Sequence, residues 1–137
     1  MSARTIFLGR LIGLFTLLYS LAMFAHKQTM VETAIALVND RPLLLLVGMI
    51  IIAIGLAMVL AHNVWSGGPL TIIVTLIGWI LLLRGITILF LDPDAVVRLF
   101  AFFRPEQLFY VYAGLVLILS LYLIYSSFGR KGPVVSV

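Results

Sequence analysis

Residues 43–61 read LLLLVGMIIIAIGLAMVLA, a stretch without one charged or hydrogen-bonding side chain. A helix that crosses a bilayer needs about 20 mostly apolar residues, and this run supplies them. Working outward, residues 6–25, 70–91 and 108–126 meet the same requirement. The whole chain agrees: of 137 residues, 64% are hydrophobic and 10% charged, with a mean hydropathy of +1.25. Soluble domains carry roughly 45–50% apolar and about 25% charged residues. A soluble globular fold, a disordered chain and a nucleic-acid-binding module are therefore excluded, in spite of a pI of 9.9. The net charge of +4 is read as a membrane-topology signal. With no cysteine in the chain, disulfides, thiolate metal sites and a cysteine nucleophile are excluded, and the redox compartment stays undetermined.

The first span is expected to persist, not to be cleaved as a signal peptide. Its apolar run is too long for that, and His26, Lys27 and Gln28 follow it instead of a small-x-small site. Arg10 lies near enough to the span end to snorkel. Between the second and third spans, residues 62–69 form a short corner with Gly67-Gly68-Pro69 as breaker and Trp65 as interfacial anchor. The other two connections each predict a short helix lying along the interface, since a dozen residues cannot span. One runs near 29–39, opened by a Thr29-x-x-Glu32 capping box. The other runs near 93–104, with Asp92 as N-cap, Pro93 at the first helical position and Pro105 as stop.

Sliding the chain on itself by 65 residues lays Leu11-Ile12-Gly13 on Leu76-Ile77-Gly78, Val31 on Val96 and Leu43 on Leu108. Each half then reads span, short interfacial helix, span. The expected fold is an all-α integral membrane protein of one domain over residues 1–137. It has four transmembrane helices, as two tandem hairpins that form an internal repeat of residues 6–63 and 71–128. Two spans per half imply a parallel repeat, unlike the inverted repeats of many transporters. The N-terminus, middle loop and C-terminus share one side with Arg4, Arg10, Arg130 and Lys131. All five acids (Glu32, Asp40, Asp92, Asp94 and Glu106) lie on the other, beside Lys27, Arg41, Arg98 and Arg104. The unneutralised N-terminal cations favour both termini in the cytoplasm.

Few residues could carry chemistry. His26 and His62 end successive spans and so fall on opposite faces of the bilayer; His62, Asn63 and Trp65 form one small corner. Arg84 is the charge placed inside a span, and such a residue is a functional candidate by default. Glu32, Asp92 and Asp94 are the acids within its snorkelling reach, and a structural ion pair or an anchor is the expected role. Gly9-x-x-x-Gly13, the stripe Ala53-x-x-x-Ala57-x-x-x-Ala61, and the stripe Thr71, Thr75, Gly78 and Gly85 on the third span are helix-packing signals. They serve either the bundle or an oligomer. No catalytic residue, metal site or cofactor is expected.

Residues 78–125 resemble the small bacterial YjeT-like membrane proteins of unknown function. The likeness rests on an apolar span, Leu91-Asp92-Pro93, a short helix through Val97-Arg98, and a second span near Ala113-Gly114. It implies a bacterial inner-membrane protein and transfers no functional residue. The expectation is a non-enzymatic accessory or structural subunit whose partners are membrane lipids and further membrane subunits or copies of itself, and not nucleic acid. A small oligomeric channel or transporter is the alternative.

Overall fold

The computed structural model describes residues 2–129; Arg130 and Lys131 of the topology argument lie outside them. The described residues form six helices: α1 (Ala3–Ala25), α2 (Lys27–Asn39), α3 (Arg41–Ala61), α4 (Pro69–Phe90), α5 (Pro93–Phe102) and α6 (Phe109–Phe128). α1, α3, α4 and α6 are long and apolar enough to cross a membrane. Each span starts within three residues of where its apolar run begins.

Local chemistry sets the helix ends. The Ser2 hydroxyl accepts the Thr5 amide at 3.2 Å, and an Asp40 carboxylate oxygen accepts that of Leu43 at 3.1 Å, each satisfying a free first-turn donor. α4 begins at a proline after Gly67 and Gly68, whose φ values of 104° and 117° are open to glycine at little cost. Two expectations are corrected here. α2 starts at Lys27, because His26 alone breaks the chain after α1. Thr29 is thus already helical, no capping box forms, and Glu32 takes the Gln28 amide at 2.9 Å instead. Asp92 does occupy the N-cap of α5, but its side chain makes no capping bond.

The long helices pack as two antiparallel pairs, α1 with α6 and α3 with α4. The expected hairpins would have paired α1 with α3 and α4 with α6. Those helices touch little, because α2 and α5 intervene and spread the two spans of each half apart. Each half thus gives its first span to the other half's second span. The contacts correspond at the offset of 65: Gly13 lies against Leu123 and Ile124, and Gly78 against Met58 and Val59. The N-terminal ends of α1 and α4 meet where Gly9 faces Leu70.

Met58, Leu70, Val74 and Leu123 are buried together where the two pairs join. At the far end two smaller clusters form. Met23, Phe109 and Ala113 take Met30 and Val31 of α2; Leu44 and Val38 take Val96 and Ile88. The outer faces are apolar, with Leu60 78% and Phe90 79% exposed. Exposed apolar surface on that scale fits lipid as the surrounding solvent, since soluble monomers rarely expose large apolar patches.

Candidate functional site

Buried polar residues collect at the end of the bundle that holds the α3–α4 corner. Thr5, His62, Thr71, Thr75 and Ser127 are each no more than 3% exposed. Thr75 organises the corner. Its hydroxyl lies 2.8 Å from the Val64 carbonyl, 3.0 Å from that of Thr71 and 3.4 Å from that of His62, and it accepts the Val64 amide at 3.3 Å. One hydroxyl proton serves three carbonyls, and the shortest contact ties the loop to α4. Above it, the Asn63 amide oxygen accepts the indole N–H of Trp65 at 2.8 Å and that of Trp79 at 3.4 Å.

Of the sequence-derived corner, Asn63 and Trp65 come together while His62 turns into the bundle. Its Nε2 has no partner among the described residues. His26, at the other end, is exposed. Sequence reasoning takes Thr75 as part of a packing stripe, not as the corner's hydrogen-bonding centre, and misses Trp79, although their spacing of four places them on one helix face.

A related contact closes the α1–α6 pair. Arg10 donates to the Ser127 carbonyl at 3.4 Å, with its guanidinium carbon 4.5 Å from the centre of the Phe128 ring. Arg10 is thus held by α6 rather than reaching outward as a snorkelling side chain. Shifted by 65, Arg10 and Ser127 become Thr75 and His62, so the first span bonds the same end carbonyl of its partner in both pairs.

Arg84 lies on the outer face of α4, exposed, about 9 Å by helical rise before the helix ends. None of the acids in its expected reach pairs with it. Among the described residues the ion pair is Arg41 with Asp94, at 3.9 Å and largely exposed. Glu32 is engaged by Gln28. Replacing Arg84 by methionine should therefore leave the melting temperature of the purified chain within about 2 °C, because unpartnered surface substitutions change stability by about 0.5 kcal/mol or less. Thermal unfolding in detergent checks this; a drop of roughly 10 °C would reveal a buried partner.

The small residues divide. Gly9 and Gly13 face α6, and Gly78 and Gly85 face α3, so these four serve the bundle. Ala53, Ala57 and Ala61 are exposed on the outer side of α3. Among the described residues no three His, Cys, Asp or Glu side chains gather as metal ligands would. Compared with known proteins, the chain matches no family model, no curated protein and no solved structure.

Proposed function

We propose that this chain is a non-enzymatic integral membrane protein, an accessory or structural subunit that packs through α3 against a second copy or a larger membrane complex. The observation that carries the reading is the outward stripe of Ala53, Ala57 and Ala61. Small residues let helix backbones approach closely in lipid; Gly9, Gly13, Gly78 and Gly85 are already used inside the bundle, and these alanines are not. The chain is also read as an internal duplication, supported by the matched contacts at offset 65. Its second half, α4 to α6, has the span, short helix and span that carry the YjeT-like resemblance.

The channel reading has less support. The hydroxyls of Thr16, Ser20, Thr87 and Ser120 all donate to carbonyls of their own helices, which leaves none of their protons for a polar path. With no native cysteine, Ala57→Cys gives a single thiol. It is expected to form a disulfide-linked dimer in membranes if a second copy docks there, whereas Leu18→Cys on exposed α1 should not. Ala57→Leu should shed the partner during mild-detergent purification, as read by mass spectrometry of the complex. An unchanged complex, together with no cross-link from position 57, would sink the assignment.

The membrane is proposed to be the bacterial cytoplasmic membrane, with the Thr75 corner and both termini inside. Reporter fusions at residues 62–68 should then read cytoplasmic, and fusions between α2 and α3 should read external. The opposite pattern reverses the orientation.

A further inference from the structure

Resting on the membrane reading above, we propose that the cleft between α2 and α5 seats one phospholipid with a zwitterionic, amine-bearing headgroup. The cleft holds about 590 Å³, within the ~300–1,000 Å³ typical of small-molecule sites. That suits a headgroup and the upper part of a chain. Its floor is apolar, made by Ile35 and Val38 of α2 with Val97 and Phe100 of α5. Its rim carries a cation and a carboxylate, Arg104 and Glu106, which make no ion pair with each other or with any described residue. A smaller hollow of about 240 Å³ continues from Ile35 and Glu106 to Lys27 and Glu32, repeating the mixture of signs.

Such a rim complements a headgroup that itself carries both charges. Phosphate oxygens suit the planar guanidinium fork of Arg104, and the ammonium suits Glu106. A purely anionic headgroup would meet the carboxylates unfavourably. The backbone of Arg104 is also held in place. It adopts φ 47°, a conformation that favours glycine, while its N–H bonds the Ala101 carbonyl at 3.1 Å and its own carbonyl accepts the Leu108 amide at 3.0 Å. An arginine stands where a helix end would ordinarily place glycine.

The test uses the full chain in mild detergent, equilibrated with equimolar phosphatidylethanolamine and phosphatidylglycerol and read by native mass spectrometry. Wild type is expected to retain one phosphatidylethanolamine at least fivefold over phosphatidylglycerol. Arg104→Gly relaxes the backbone while deleting the charge, so it should melt no lower than wild type yet lose at least fivefold of the retained lipid. Ala101→Phe fills the cleft without touching its rim and should do the same. Arg98→Ala, exposed on the same helix outside the cleft, should change nothing. Equal retention of the two lipids, or retention indifferent to Arg104→Gly and Ala101→Phe, overturns the site. So does a peptide or protein cross-linked from position 101. Recovery of the chain outside the membrane fraction overturns the membrane reading as well, whereas loss of lipid selection in an inserted chain overturns the site alone.

Discussion

Valine at Gly55 is expected to lower the melting temperature of the detergent-solubilised chain by roughly 10 °C or more, through a loss of about 3 kcal/mol from the α3–α4 pair. A Cβ built at Gly55 would lie 2.5 Å from the Leu82 amide nitrogen and 2.8 Å from the Leu82 Cα. Both are backbone atoms of a packed helix, so no side-chain rotation relieves the contact and the helices must separate. Gly114 supplies the control, because a Cβ there meets nothing within 4 Å. Gly114→Ala should leave stability level or raise it slightly, as alanine is favoured over glycine inside a helix by about 0.5–1 kcal/mol. Equal melting of the two variants would contradict the close approach of α3 and α4.

Leu70→Ala should act differently, loosening the two pairs from each other while leaving each pair intact. Leu70 is 1% exposed, packs with Val74, Met58 and Leu123, and faces Gly9 of α1. In water-soluble cores a leucine-to-alanine change costs about 2–5 kcal/mol. In lipid the separated helices meet tails as apolar as leucine, so the transfer part falls away. What remains is the lost dispersion around the cavity, and about 2 kcal/mol is expected here. Spin labels on α1 and α4 should show a broadened distance distribution, while α1–α6 and α3–α4 distances stay narrow. Equal broadening in all three would mean that the pairs are not separate units.

The four long helices were legible because their signal is length and polarity, which no tertiary arrangement alters. α5 was legible from Asp92-Pro93, since a fixed φ and a missing donor act locally. The start of α2 was not: the Thr29-x-x-Glu32 pattern presumes a break before residue 29, and the break came at His26. Helix pairing was hidden for another reason. Apolar runs are compatible with many neighbours, and chain order says only which spans are connected. A clue was present in the small residues. Gly13 with Gly78, Ser20 with Gly85, Gly48 with Ala113 and Gly55 with Ser120 are small on both sides of the offset of 65. All of them are buried, so the shared pattern marks the faces where helices must approach closely, without saying which helix comes. Arg84 was recognised as exceptional from its surroundings, but whether a span residue faces helix or lipid depends on that same pairing.

Because α1 is matched with α6, the order of synthesis matters to the nascent chain. α3 meets α4 after only a short corner, and can dock as soon as both are inserted. α1 emerges before either and finds its partner only when α6 follows. At ribosomal rates of about 5–20 residues per second, that delay is roughly 4–17 s. Throughout it, the α1 surface around Gly13 stands uncovered by α6, available to the insertion machinery, to quality-control proteases or to the same helix of a neighbouring nascent chain. Survival of the newborn protein is then governed by whatever shelters its first helix until its last one arrives.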